Sequence, residues 1–149
     1  MYSKQMHGAA RSLGVQLLAV ELHRPDGIES AFNIARSKRA DALIIPPSGF
    51  LSLYRERISE IAAQSRLPAI ASDGRWAEQG CLLGYGPSTG ESYRRAATYV
   101  DRILKGAKPA DLPVEQPKKF ELLINLKTAK QIGLTISPNV LVRADRVIK

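Results

Sequence analysis

Four short runs, each apolar almost without interruption, punctuate the first 85 residues: Val15 to Leu22, Asp41 to Ile45, Leu67 to Ala71 and Cys81 to Tyr85. No other feature constrains the fold as much. A strand with apolar residues on both sides must be covered on both faces, which is the situation of strands in a parallel sheet sandwiched by helices. Between the runs, apolar residues recur at helical intervals instead: Ile28, Ala31, Phe32 and Ala35, then Leu53, Ile58, Ile61 and Ala62 within an expected helix from Leu51 to Arg66. Ser3 to Leu13 reads as an opening helix ended by Gly14, and Trp76 to Gln79 as a brief one. Strands alternating with helices over short connections predict an α/β fold, an open and mainly parallel sheet with helices on both faces.

The connections carry their own signals. Pro46-Pro47 forces a loop, because proline has no amide to donate and restricts the residue before it. Ser88 or Thr89 can cap a helix from Gly90 to Leu104 whose apolar positions are Ala96, Tyr99, Val100, Ile103 and Leu104. Ala107 to Pro117 is a proline-bearing linker, Phe120 to Leu126 an alternating strand, Thr128 to Ile132 a short helix, and Ser137 to Ile148 a last helix. No internal repeat is found.

Several functions are argued against at this stage. A length of 149 residues suits one domain, and no apolar run approaches the ~20 residues that cross a bilayer as a helix. Residues 1–11 contain no apolar export core, which as written predicts a cytoplasmic chain. Cys81 is the single cysteine, so no internal disulfide is expected, and with His7 and His23 both distant it makes no zinc set. The net charge of +8 is dispersed and not interleaved with aromatic residues, so it reads as solvated surface rather than as a nucleic-acid interface. Phosphate-cradling glycine motifs are missing, and no cofactor is expected. Glu29, Glu56, Glu60 and Glu91 have basic neighbours three or four residues away, the spacing of ordinary helix ion pairs, and no acid, base or nucleophile constellation suggests an enzyme.

What remains is the set of loops at the carboxyl ends of the strands, where open parallel sheets bind ligands. Phe50 and Tyr85 offer aromatic faces there, while Ser48, Ser72, Asp73 and Ser88 offer hydrogen-bonding groups for a small molecule. The competing reading is that these serines and glycines simply form turns.

The stretch Gly80 to Gly86, followed by Glu91-Ser-Tyr-Arg-Arg-Ala-Ala-Thr-Tyr-Val-Asp-Arg-Ile-Leu-Lys-Gly and its continuation through Pro117, strongly resembles the substrate-binding proteins of ABC-type importers. The group resembled is the tryptophan- and aromatic-amino-acid-related one. Lys119 to Ile136 is similar to that family's closing signature, and Gly14 to Pro68 follows its pattern. The resemblance implies one lobe of a type I periplasmic-binding-protein fold, with Ser48, Ser72 and Tyr85 facing a ligand cleft. Ser48-Gly49, Ala71, Cys81 and Gly84 depart from the residues common in relatives, which implies altered ligand selection. Family members are about twice as long, with an export signal, a first lobe and a strand just before the helix that opens this chain. The resemblance therefore implies a second half, cut inside its second lobe, and a periplasmic location if the true start lies upstream.

By that resemblance, residues 1–89 form the lobe core without its first strand, 90–117 the helix and linker that cross to a first lobe, and 118–149 the return. Two functions compete. One is a non-enzymatic lobe for an amino-acid-like ligand, impaired alone, whose full-length relatives serve an ABC permease. The other is a cytoplasmic homodimer that covers the stripe of Ala96, Tyr99, Val100 and Ile103.

Overall fold

A computed structural model describes residues 2–149, with side chains from Gln5 onward. In chain order the elements are α1 (Tyr2–Leu13), α2 (Gly27–Ser37), β1 (Leu43–Ile45), α3 (Gly49–Leu53), α4 (Arg55–Gln64), β2 (Ala69–Ala71), α5 (Gly74–Glu78) and β3 (Leu83–Pro87). There follow α6 (Thr89–Leu104), a 3-10 turn at Pro109–Asp111, β4 (Phe120–Asn125), α7 (Leu126–Ile132), α8 (Pro138–Leu141) and β5 (Arg146–Ile148). The sheet runs β1-β2-β3-β4-β5, parallel throughout except for the antiparallel β3–β4 pair. The expected α/β class and mainly parallel sheet are what the chain forms.

Its core lies on one face of that sheet. Ile45, Ala69 and Ala71 point inward from β1 and β2 onto Ile28 and Phe32 of α2, Ile58 and Ala62 of α4, and Trp76 of α5, with Cys81 completing the buried cluster. Alternation puts the intervening residues on the opposite face, where Ile44, Tyr85 and Phe120 are exposed. α6 contributes nothing to the core, since none of its 16 residues is buried. The linker instead runs back along it, with the Tyr99 hydroxyl donating to the Pro113 carbonyl at 2.5 Å and Arg95 paired with Glu115.

Three sequence expectations are corrected. Val15 to Leu22 is no strand: residues 15–23 are irregular, and Val15 and Leu18 are exposed. A strand needs a neighbour to accept its backbone groups, but β1 is the sheet edge and pairs only with β2. Leu22 alone of that run packs on the core. Next, Leu51 to Arg66 is not one helix but α3 and α4, broken at Tyr54 and started early by Ser48, whose hydroxyl accepts from the Leu51 N–H. Finally, Ser137 to Ile148 is not a helix. After the single turn of α8, Asp145 docks on β4 by accepting the Leu122 N–H at 2.8 Å and donating its own amide to the Leu122 carbonyl, and the chain ends as β5 beside Leu123–Asn125.

Candidate functional site

Three loops emerge from the carboxyl ends of β1, β2 and β3, which are neighbours in the sheet, so the topology gathers the expected ligand loops at one end. After β1, Ser48 is partly buried and caps α3, and the half-buried Phe50 ring tilts against Tyr54 at 5.3 Å between centroids. After β2, the turn Ser72-Asp73-Gly74 passes directly over β3. A Cβ at Gly84 would collide with the Asp73 carbonyl and one at Gly86 with the Ser72 carbonyl, so both positions require glycine for this close approach. Tyr85, between them, points to the other face of the sheet and stacks on Phe120 with centroids 5.9 Å apart.

Asp73 is already engaged. Its Oδ1 accepts from the Arg75 backbone N–H at 3.0 Å and from Arg75 Nε at 3.1 Å, and its Oδ2 from the Arg75 terminal nitrogen at 2.9 Å. Burial desolvates this carboxyl and acts to raise its pKa, but the hydrogen bonds and charge of Arg75, with Arg55 further off, hold it below the ordinary carboxylate value. Ser88 is buried, caps α6 by accepting from the Glu91 N–H at 3.4 Å, and donates its own amide to the Lys119 carbonyl. Ser48, Phe50, Ser72, Asp73 and Tyr85 thus share the carboxyl end of the sheet, whereas Ser88 serves as a helix cap.

The departures from the family pattern lie differently from what the resemblance implies. Ala71, Cys81 and Gly84 are all buried in packing, and only Ser48-Gly49 belongs to a strand-end loop. Burial raises the Cys81 pKa, opposed by the Ser59 hydroxyl that donates to its sulfur at 3.4 Å. Such a thiol packs; it does not attack.

Arg55 is the residue that sequence reasoning passed over. It sits where α4 begins, inside the run expected as one helix from Leu51 to Arg66. No spacing signal reveals that the break at Tyr54 turns its guanidinium over the Trp76 ring, 5.5 Å from the centroid. Arg55 Nε and Trp76 Nε1 are both buried with no acceptor. Among the described residues, no three of His, Cys, Asp and Glu come together as a metal site.

A mainly parallel α/β lobe with its loops gathered over the strand ends is the architecture of a solute-binding lobe of the type I periplasmic-binding kind. The family model for ABC transporter substrate binding proteins matches residues 3–148, and the chain belongs to that family. Its structure is similar to a conserved domain protein from Vibrio cholerae at a TM-score of 0.88 and 24% identity, covering 98% of this chain and 49% of that one. It is similar to the ABC domain solved in complex with L-Trp from Streptococcus pneumoniae at a TM-score of 0.88 and 25% identity, over 99% of this chain and 50% of that one. A ligand-free, open substrate binding protein with adhesive properties from Clostridium difficile matches at a TM-score of 0.70 and 18% identity, over 99% and 49%. The chain spans about half the length of each of these. No curated protein matches it.

Proposed function

We propose that this chain is a ligand-binding lobe of an ABC-importer solute receptor, holding an amino-acid-like small molecule at the carboxyl ends of β1, β2 and β3 by binding alone, without chemistry. One observation carries the reading: the family match runs through residues 3–148 and so includes all three strand-end loops. Ser48, Ser72 and Tyr85 are the contacts this lobe offers, with the Phe50 face beside them. The L-Trp found with the pneumococcal relative favours an aromatic amino acid as the first ligand to try.

In this reading residues 1–89 are the lobe core, 90–117 the helix and linker that reach a second lobe, and 118–149 the return. A closed site surrounds most of its ligand, so one lobe alone binds no tighter than about millimolar. Docking to a permease outside the inner membrane belongs to the two-lobed form. Calorimetry of the chain with aromatic and branched amino acids tests this: weak or undetectable heats are expected, and micromolar affinity would overturn the half-site reading.

The bare surface of α6 favours a second reading, a homodimer. Tyr93, Val100, Ile103 and Leu104 are exposed there, and apolar area left in water costs about 25 cal/mol for each Å². A second copy laid across Ala96, Tyr99, Val100 and Ile103 would recover that cost. Light scattering at tens of micromolar decides it, a monomer mass counting against the dimer.

A further inference from the structure

The basic residues are dispersed along the chain but not over the fold. Helices α2 and α4 end where β1 and β2 begin, and α7 starts where β4, antiparallel to β3, runs out, its Thr128 hydroxyl donating to the Gly80 carbonyl just ahead of β3. These helix termini share the amino end of the sheet, opposite the ligand loops. Packing of α2 on α4 and of α4 on α7 sets them side by side across about 20 Å, taking roughly 10 Å between neighbouring axes. Six exposed cations stand there: Arg36, Lys38, Arg39, Arg66, Lys127 and Lys130. Across the segments that build this end, residues 36–42, 64–68, 79–82 and 125–130, the one carboxylate is Asp41. At the carboxyl end, by contrast, cations are interleaved with carboxylates and bond them, as Arg75 does with Asp73, Arg94 with Glu91 and Lys119 with Glu121.

Helix dipoles do not account for this excess. A dipole favours cations at a helix carboxyl terminus, which suits Arg36, but Lys127 occupies the first turn of α7, where the same dipole disfavours it. Arg39 and Arg66 carry a further cost. Both close their helices in the left-handed region, at φ 53° and 52°, with the next amide bonded back to the carbonyl five residues earlier, Ala40 to Ala35 and Leu67 to Ala62, each at 2.9 Å. The sister helices α5 and α7 make the same closure with Gly80 and Gly133, the residue type that takes this backbone without strain. Strain that glycine would remove, kept at two neighbouring caps, sets charge above stability at this end of the molecule.

We propose that the amino end of the sheet is a docking face for an anionic lipid surface. Cations spread over one end of a molecule each add attraction to such a surface without needing a fitted pocket. The same segments contain no Phe, Tyr or Trp, so nothing is offered to stack nucleobases. The family serves transporters, which lie in membranes. Docked this way, the chain turns its strand-end loops away from the lipid, and docking is independent of what those loops hold.

Vesicle cosedimentation of the full chain tests this, comparing phosphatidylcholine alone with phosphatidylcholine carrying about one-third phosphatidylglycerol, at roughly 0.15 M salt. Binding to the mixed vesicles only, lost at about 1 M salt, is expected. Arg39→Gly combined with Arg66→Gly removes two cations and relieves the strain at both caps. That double variant should melt no lower than the wild type while its partition onto the anionic vesicles falls about tenfold or more, at about fivefold for each cation. Lys118→Gln combined with Arg143→Gln removes the same charge from the carboxyl end, where residues 118 and 143 precede β4 and β5, and should leave the partition within about twofold. No binding to the mixed vesicles, or an equal loss from the two double variants, overturns the docking face. So does a DNA duplex held as tightly as the lipid at the same salt, which would make this end a general polyanion site.

Discussion

Asp73 holds two structures together with one side chain. It caps α5 and it fixes Arg75, in a turn that crosses β3 where only glycine leaves room. Replacing a capping Asp by Ala costs about 1 kcal/mol, and Asp73→Ala should lower the thermal midpoint accordingly. Because the folded pKa of Asp73 lies below its unfolded value of about 3.9, its stabilising contribution is complete above that pH and is lost as pH falls through the folded value. Thermal melts between neutral and acid pH should therefore show the wild type losing its advantage over Asp73→Ala on the acid side. A constant gap across that range would contradict the assignment. Cys81 gives a second test. Buried at 1% exposure with its pKa raised, it should resist a thiol reagent in the native protein and react once urea unfolds the chain, whereas fast native labelling would show the core opening locally. The sequence places Ser48, Ser72, Asp73 and Tyr85 at the carboxyl end of the sheet because strand-end position follows from chain order alone. The position of Arg55 over Trp76 was not legible, because it depends on a helix break at Tyr54 that no residue type announces.

At the level of elements, periodicity located α1, α2, α6 and α7 but fused α3 with α4 and read Ser137 to Ile148 as a helix, and it located strands only where a neighbour exists. Leu43–Ile45 and Val15–Leu22 look alike in sequence, yet the first pairs with β2 and the second pairs with nothing. Pairing is a property of the sheet and not of the run, which is why the apolar pattern misled there. The final strand was missed for the converse reason: Arg146–Ile148 is too short to show a period, and its docking depends on Asp145 reaching Leu122. The contact between the 72–74 turn and β3 yields a sharper prediction. Gly86→Ala places a methyl against the Ser72 carbonyl, and overpacking of this kind costs about 1–3 kcal/mol. A melting midpoint equal to wild type would show that the turn moves freely. On α6, Ile103→Asp should leave the stability of a monomer nearly unchanged, since the helix buries nothing. A large loss of stability or mass would favour the dimer.

At the scale of the whole molecule, the described residues form a packed layer of α2, α4, α5 and α7 against one sheet face, an opposite face left partly bare, and a long helix with no buried residue. In the two readings proposed above, a second lobe or a second copy covers the bare surface, and in both the strand-end loops are left to take the ligand. The central claim is that these loops bind an amino-acid-like small molecule, weakly in this chain alone. Backbone amide mapping by NMR during an L-tryptophan titration tests it most directly. The account predicts a saturable shift with a dissociation constant in about the millimolar range, centred on the amides of residues 48–50, 72–76 and 85–86. Shifts confined to α6, or to the hollow lined by Leu126, Ala129, Gly133 and Leu134, with the strand-end loops unmoved, would contradict it.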